Sequence, residues 1–281
     1  MARTKRLAPA KINLFLDILG RMENGYHELD TVMQAVSLCD ILTFEESDAL
    51  TVRCSDPSLD GKENLAFRAA EAFCAAIGEA PPPIAVTIEK HIPVAAGLAG
   101  GSTDAAAVLR ELDQRYGHPL SRERLLAVAG GLGADVPFCL CGGIRRAGGI
   151  GEKLTACPPL PDCTILLLFS QDRVSTREAY AALDRIARPP HGNRLLSALE
   201  TGSLDAVGAG MYNIFEVIRP EVRRRKELLI RRGAAAALLS GSGPAVFGLF
   251  AEEADARLAQ QNFEAEGVRT ALCRPLPDLE G

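Results

Sequence analysis

The residues best suited to chemistry in this 281-residue chain lie in one glycine-rich loop and at two charged positions distant from it in sequence. The loop runs from Pro93 to Thr103 and contains Gly97, Gly100 and Gly101. Glycine lets a backbone approach an anion closely, and the first N–H groups of a following helix lack internal partners at the positive end of the helix dipole. The loop is therefore predicted to bind phosphate. The alternative is a tight strand-to-helix turn without a ligand.

The common nucleotide-binding signatures do not fit this loop. A Walker A motif needs a lysine followed by serine or threonine, and the loop contains no lysine. The glycine spacing of dinucleotide-binding folds is absent as well, and so are the HRD and DFG motifs of protein kinases. If the loop binds nucleotide phosphates, it does so in a different fold.

Two charged residues become candidates for catalysis once phosphate is expected. Asp135 lies in a short segment, residues 131–137, whose exit is fixed by Pro137, and a carboxylate there is suited to accept a hydroxyl proton during phosphoryl transfer. Lys11 supplies a positive charge that stabilises charge developing on a phosphoryl group. Taken alone, Asp135 is more typical of a turn cap and Lys11 of a solvent-facing strand residue.

Strands are predicted to position Lys11. Apolar side chains alternate over residues 11–18, which places Lys11 and Asn13 together on the opposite face of a half-buried strand. A turn is expected at Asn24 and Gly25, and residues 31–44 resume a β-like apolar pattern. An antiparallel N-terminal sheet is the expected result.

The glycine-rich loop is predicted to join a strand to a helix. Residues 84–88 alternate as a strand, and the residues after Thr103 have apolar side chains at helical spacing. Further helices are predicted at residues 64–77 and 121–130, the second of them capped by Ser121.

The second half of the chain is predicted to begin with a buried strand at residues 164–169. The later pattern predicts helices at 175–187, 193–207, 220–232 and 252–266, and strands at 237–240 and 245–250. The length is compatible with two compact domains or with one large domain. Because the strand at 164–169 opens a second half, domains are predicted at residues 1–160 and 161–281.

Composition narrows the class of protein. The net charge of −5, with acidic and basic residues interspersed, argues against a nucleic-acid partner. The basic run at residues 223–226 is expected to form a solvated helix face. Neither a secretory signal nor a membrane span is expected, and a cytoplasmic location is predicted. The cysteines have no metal-ligand spacing and are expected to be reduced and mostly buried.

Three motifs in order along the chain resemble those of the GHMP kinases. They are residues 9–14 (PAKINL), the loop at 93–103, and residues 239–247 (LSGSGPAVF). Two further segments, 25–29 (GYHEL) and 131–137 (GLGADVP), are similar to the branch that acts on diphosphocytidyl-methylerythritol rather than on mevalonate, homoserine or galactose. The resemblance covers essentially the whole chain.

The resemblance implies an α+β fold of two domains, the first ribosomal-S5-like and the second ferredoxin-like, with the active site in the cleft between them. It implies that Asp135 is the general base for the substrate's 2-hydroxyl, that Lys11 is its electrostatic partner and that Asn13 orients the alcohol. Tyr26 and His27 correspond to positions that recognise cytosine, and Tyr180 is expected to form a second aromatic wall. The residues implied in binding ATP are Pro93, Val94, Ala95, Ala96, Gly97, Leu98, Ala99, Gly100, Gly101, Ser102 and Thr103.

Some positions depart from the family pattern. Ala95, Ala96 and Ala99 replace glycine, which is expected to suit a phosphate loop only where φ stays negative. Residues 213–216 differ from the usual family sequence, and their role is left open. Mg²⁺ is expected together with ATP, but its ligands are not assigned. Ser102 and Thr103 are candidate hydroxyl ligands, and the alternative is an ion held mainly by phosphates and water.

Two other functions stay open at this point. One is a GHMP kinase for another small alcohol, such as homoserine or mevalonate. The other is a nucleotide-binding regulator without catalysis, which the presence of both Lys11 and Asp135 disfavours. For the oligomeric state, both a monomer and a homodimer are compatible with the sequence.

Overall fold

The structure is a computed structural model that describes residues 3–23, 25–170, 175–186 and 190–279. The predicted turn residue Asn24 and the predicted helix end at Ala187 lie outside the described residues. The strands within these ranges are β1 (Thr4–Arg21), β2 (His27–Glu46), β3 (Thr51–Cys54), β4 (Ile84–Glu89), β5 (Ile144–Gly148), β6 (Lys153–Ala156), β7 (Thr164–Leu168), β8 (Tyr212–Asn213), β9 (Ala236–Leu239), β10 (Val246–Phe250) and β11 (Thr270–Cys273).

Helices alternate with these strands over much of the chain. Those in the described residues are α1 (Leu65–Ile77), α2 (Gly100–Arg115), α3 (Arg122–Leu132), α4 (Val136–Cys141), α5 (Thr176–Leu183), α6 (Leu195–Glu200), α7 (Leu204–Gly210), α8 (Pro220–Arg231) and α9 (Glu253–Ala265). Short 3₁₀ helices occur at Pro57–Leu59 and Ile214–Ile218.

The first sheet places the long antiparallel pair β1 and β2 next to each other, in the order β3-β4-β2-β1-β8, with β5 and β6 extending from β2. Strand β4 pairs with β2 and leads towards α2, and the glycine-rich loop between β4 and α2 contacts β1 through a hydrogen bond from Lys11 N to Leu98 O at 3.1 Å. Strand β8 comes from the second half of the chain but pairs with β1. The division of the chain at residue 160 stays a prediction.

The second sheet has the order β11-β7-β10-β9, with antiparallel pairing throughout. Numbered along the chain, its strands run 4-1-3-2, and helices connect the first strand to the second and the third to the fourth. This β-α-β-β-α-β arrangement is the ferredoxin-like topology implied by the resemblance.

Strand β1 differs from the predicted half-buried strand because both of its faces are covered. Residues 8–17 are all buried, including Lys11 and Asn13. Ile12 and Leu14 pack in a core cluster that includes side chains of the second sheet, while Leu16 packs in another. Register shifts against β2 interrupt the simple alternation between Pro9 and Lys11 and again between Asn13 and Phe15. The side chains of Lys11 and Asn13, which were predicted to lie on the solvent face of the strand, are therefore inside the molecule.

Two helical predictions need correction. The helix expected at 193–207 is divided into α6 and α7, because Gly202 adopts a positive φ of 66° and the Ser203 side chain accepts a hydrogen bond from Ala206 N, starting a new helix. The segment after Asp135, predicted as a loop, forms the buried helix α4, with Pro137 in its first turn, where proline is well tolerated.

The remaining global expectations concern cysteines and membranes. All eight cysteines are free thiols, and five of them are buried: Cys74, Cys139, Cys141, Cys163 and Cys273. Among the described residues, no helix combines the length and the apolar character needed to cross a membrane.

Candidate active site

A cavity of about 610 Å³ lies between the two halves of the chain. The first half contributes Lys11, Asn13 and Asp135, together with most of the glycine-rich loop. The second half contributes Tyr180 and Phe215 and the loop after β9, among others. The cleft location that the resemblance implies is thus the place where the predicted catalytic and loop residues come together.

Lys11 is held in place by a buried hydrogen-bond network. Its side chain is only 5% exposed, and its Nζ donates to Asn13 Oδ1 at 2.7 Å. The same oxygen accepts from Gly241 N at 3.0 Å, and Asn13 Nδ2 donates to Thr31 Oγ1 at 2.9 Å. Asn13 therefore links the lysine to the C-terminal half of the chain, a role that its place on the strand did not predict.

Asp135 faces Lys11 across the cavity. Its Oδ2 lies 3.5 Å from Lys11 Nζ, and the side chain is 35% exposed. Asp135 is the N-cap residue of α4, yet its side chain makes no capping hydrogen bond. The capping role suggested by sequence is therefore wrong, and the carboxylate remains available to a ligand in the cavity.

The backbone of the glycine-rich loop takes conformations that are uncommon for alanine. Ala95 and Ala99 have φ values of 56° and 60°, in the left-handed region. The condition of negative φ that the sequence set for alanines in a phosphate loop is not met at these two positions. Ala99 is the N-cap residue of α2, and its left-handed conformation lets the chain turn directly into the helix. The first residues of α2 line the cavity, where their N–H groups lack partners within the helix.

Tight packing against the C-terminal half keeps the loop in this shape. Ser240 Oγ donates to Gly97 O at 3.0 Å, and Ala245 N donates to Ala96 O at 3.2 Å. A Cβ atom added at Gly97 would lie 2.2 Å from Ser240 O, so this glycine is required by close approach as well as by its φ of 80°. The motif at residues 239–247 therefore fixes the backbone of the glycine-rich loop.

Two residues of the loop point away from the cavity. Leu98 packs in the core that contains β1, and Thr103 is completely buried; neither lines the cavity. Ser102 does line it. Of the two hydroxyls proposed for Mg²⁺, only that of Ser102 is therefore suitably placed.

The donor set fits a metal ion held mainly by its nucleotide. The described residues contain no group of three or more His, Cys, Asp and Glu side chains that would hold a metal ion by themselves. The cavity wall carries the hydroxyl of Ser102 and the carboxylates of Asp60, Glu63, Asp104 and Asp135. Oxygen ligands that do not form a metal-binding group by themselves suit Mg²⁺, which usually retains waters and binds phosphate oxygens beside one or two protein ligands.

A buried charge cluster under the loop was missed by sequence reasoning. Lys90 Nζ contacts Asp40 Oδ2 at 2.5 Å and Asp104 Oδ2 at 2.6 Å. Asp40 Oδ1 also accepts from His91 N at 2.6 Å and from Ile92 N at 2.8 Å. The cluster thereby ties the start of the loop to β2 and to the first turns of α2. Lys90 lies 50 positions from Asp40 and 14 from Asp104, and the three residues belong to different elements, so no local pattern predicts their contact.

The residues expected to recognise a base line a smaller adjoining cleft. Tyr26, which is 60% exposed, and His27 both line this cleft, and Tyr180 lines the cleft and the main cavity alike. The Tyr180 ring stacks on His27 with centroids 4.8 Å apart, and its edge meets Phe215 at 5.0 Å. Burial raises the pKa of Tyr180, which stays a neutral aromatic surface.

The segment left open by sequence has a structural role. Asn213 Nδ2 donates to Leu239 O and to Gly241 O, both at 2.8 Å, and Glu216 Oε1 accepts from Leu239 N at 3.0 Å. These bonds hold the loop after β9 against β1. Residues 213–216 therefore position the loop after β9, which lines the cavity.

Comparison with known proteins assigns the chain and its fold to one class. The family model described as the GHMP kinases N terminal domain matches residues 64–143, and the one described as GHMP kinases C terminal matches residues 195–269. Together with the relatives below, these matches show that the chain belongs to the GHMP kinases. It is an ATP-dependent small-molecule kinase, with the two-domain α+β fold predicted from its motifs.

Similar curated proteins carry a more particular name. The 4-diphosphocytidyl-2-C-methyl-D-erythritol kinase of Caldicellulosiruptor saccharolyticus is 38% identical over 278 residues, covering 95% of this chain and 96% of the relative. The protein of the same name from Geobacter metallireducens is 44% identical over 260 residues, covering 91% and 92%.

Solved structures agree with this comparison. A crystal structure of 4-(cytidine 5'-diphospho)-2C-methyl-D-erythritol kinase superposes with a TM-score of 0.78 at 35% identity, covering 97% of this chain and 99% of that one. A homoserine kinase from Cytophaga hutchinsonii has a TM-score of 0.76 at 18% identity, covering 100% and 96%. The second likeness shows the shared fold alone.

Proposed function

We propose that this protein transfers the γ-phosphate of ATP to the 2-hydroxyl of 4-diphosphocytidyl-2-C-methyl-D-erythritol, a step in the non-mevalonate synthesis of isoprenoid precursors. The observation that carries the chemistry is the placement of the Lys11–Asp135 pair in one cavity with a glycine-rich loop and a helix N-terminus. The relatives of that name support the choice of substrate.

In this proposal Asp135 is the general base. Its carboxylate, which makes no capping hydrogen bond, accepts the proton of the 2-hydroxyl as that oxygen forms a bond to the γ-phosphorus. The bond from the γ-phosphorus to the β,γ-bridging oxygen breaks, and ADP leaves with the electron pair. The Asn13 contact holds Lys11 Nζ where it stabilises the charge that grows during transfer.

The glycine-rich loop binds the ATP phosphates through its backbone and the first turn of α2. Ser102 would hold Mg²⁺ beside the phosphates, and the ion would supply positive charge that neutralises them. Tyr26, His27 and Tyr180 bind the cytidine end of the substrate in the adjoining cleft. A cytoplasmic location and a monomeric or homodimeric state stay predictions.

The test of the reaction is product analysis by phosphorus NMR with ATP and the diphosphocytidyl substrate. A new phosphomonoester resonance together with ADP is expected. Homoserine and mevalonate serve as alternative acceptors in parallel samples. Preferential phosphorylation of either one would contradict the proposed substrate, and absence of transfer to all three would favour the non-catalytic regulator.

The ATP site has a separate test in Gly101→Val. A Cβ at Gly101 meets no atom within 4 Å, so the protein itself accommodates the side chain, whereas at Gly100 it would crowd Ile92 and Lys90. The valine is expected to block phosphate approach and to weaken ATP binding, as measured by calorimetry. Gly20→Val, at another uncrowded glycine, is the matched control. Unchanged ATP affinity in Gly101→Val would show that the phosphates do not bind at this part of the loop.

A further inference from the structure

One helix of the C-terminal half holds the His27 ring from two directions. Tyr180, on α5, stacks on the ring with an interplanar angle of 25°. Asp184, the residue that ends α5, has its Oδ1 2.6 Å from His27 Nε2. The ring is 16% exposed and belongs to β2, so this contact joins the two halves of the chain at the edge of the base cleft.

The hydrogen bond decides which ring nitrogen carries the proton. The bond from His27 lowers the pKa of Asp184, and nearby Arg21 acts in the same direction, so the aspartate is ionised and only accepts hydrogen bonds. Nε2 must then be the donor. In the neutral imidazole the other nitrogen, Nδ1, is consequently an acceptor.

An acceptor nitrogen distinguishes the two common pyrimidines. Cytosine carries an amino group, a donor, at the position where uracil carries a carbonyl oxygen, an acceptor. An acceptor at Nδ1 therefore pairs with the cytosine amino group and meets the uracil oxygen unfavourably. A ring free to turn over, or one with the proton on Nδ1, would lose this distinction.

We propose that Asp184 is a positioning residue that sets the preference for cytosine over uracil, by holding His27 with its proton on Nε2 and its acceptor at Nδ1. The inference rests on the proposed function, since it assumes that the cleft beside Tyr26 and His27 binds the base of the substrate. It adds a specificity determinant that acts through another residue and does not itself touch the ligand.

The first measurement is competition by CDP and UDP against the diphosphocytidyl substrate. The wild-type protein is expected to favour CDP at least about tenfold, because a site built around one hydrogen bond rejects the analogue that leaves it unpaired. In Asp184→Ala the preference is expected to fall to about threefold or less, with the KM for ATP unchanged. Asp184→Asn keeps an acceptor oxygen and is expected to retain more of the preference.

Controls separate this role from a general effect on α5. Asp184 is exposed, so its replacement is expected to leave the fold intact. Glu178→Ala removes another exposed carboxylate from the same helix and is expected to leave the CDP preference unchanged. An unaltered preference in Asp184→Ala, or an equal loss in Glu178→Ala, would overturn the proposal.

The second measurement is the tautomer of His27 by nitrogen-15 NMR on the free protein at neutral pH. The proposal requires a neutral ring protonated at Nε2. A proton on Nδ1, or a doubly protonated ring, would overturn it. This readout does not depend on activity: if the protein failed to phosphorylate the diphosphocytidyl substrate, the proposed function would fall, while the tautomer would still decide whether Asp184 fixes His27.

Discussion

Two lysines flank the glycine-rich loop, and their surroundings differ in a way that separates structure from chemistry. Lys90 contacts two carboxylates at 2.5 and 2.6 Å, and all three side chains are at most 9% exposed. Lys11 has one carboxylate, Asp135, at the longer distance of 3.5 Å, and that side chain is 35% exposed. A buried carboxylate with several short hydrogen bonds is committed to the fold, whereas a partly exposed one facing a cavity remains available to a substrate.

The difference also appears in what each lysine connects. The Lys90 cluster joins β2, the start of the loop and α2, all within the first half of the chain. The Lys11 network reaches Gly241 in the second half through Asn13. We therefore expect loss of Lys90 to reduce stability and loss of Lys11 to reduce the rate of phosphoryl transfer.

The largest effect on stability is expected for Lys90→Met. The substitution leaves Asp40 and Asp104 buried without their cation, and breaking a buried ion pair in this way costs about 3–5 kcal/mol. Urea unfolding measures the loss. Lys11→Met is the matched variant and is expected to lose less than about 2 kcal/mol, because Asp135 is partly solvated.

If Lys90→Met is too unstable to purify, Lys90→Gln keeps hydrogen-bond donors and gives a smaller loss in the same direction. Equal stability losses in Lys11→Met and Lys90→Met would contradict the assignment of Lys90 to the fold and Lys11 to the chemistry. Normal stability in Lys90→Met combined with lost ATP affinity would instead make Lys90 a nucleotide ligand, since it also lines the cavity.

An intermediate effect is expected for Tyr26→Ala, which tests the cleft beyond both lysines. Loss of base stacking is expected to raise the KM for the diphosphocytidyl substrate by about 5- to 150-fold, the equivalent of about 1–3 kcal/mol. The KM for ATP is expected to change little, because Tyr26 does not line the main cavity. A similar loss for both substrates would favour a general structural role for this side chain.

The smallest effect expected is a pH dependence of the free energy of unfolding, which arises from Asp104 in the Lys90 cluster. Burial raises the pKa of Asp104 to about 7; Lys90 opposes this shift and Asp40 adds to it. Between about pH 4 and pH 7 the native carboxyl group therefore holds a proton that the unfolded one has released. The associated stability is present below about pH 4 and is lost as the pH rises to about 7.

Asp104→Asn tests this dependence, because the amide stays neutral at every pH. The free energy of unfolding of the wild-type protein is expected to fall more steeply between pH 5 and pH 7 than that of the variant. Urea titrations at pH 5, 6, 7 and 8 compare the two slopes. Parallel slopes would show that Asp104 is ionised throughout, with both carboxylates of the cluster charged.

Local patterns predicted the parts of the molecule that depend on neighbours in sequence. The presence of strand β1, though not the burial of both its faces, was predicted in this way, as were helix α1 and the order of strand, glycine-rich loop and α2. The Lys90 cluster and the Asp184–His27 contact were not, because they join residues 14 to 157 positions apart that share no strand or helix. Ala95 and Ala99 have positive φ in a loop whose Ala96 and Gly97 are bonded to Ala245 and Ser240, and no local propensity records these distant contacts.

The measurement that tests the central claim most directly is single-turnover phosphoryl transfer in a double-mutant cycle of Lys11→Ala and Asp135→Asn, at saturating concentrations of both substrates. Each single variant is expected to lose about 10²- to 10⁴-fold in the rate constant, while still binding ATP and the diphosphocytidyl substrate. The double variant is expected to lose much less than the product of the two losses, because residues that act as a unit are not additive. Losses that multiply, or an Asp135→Asn protein with the wild-type rate, would contradict the assignment of this pair to the reaction.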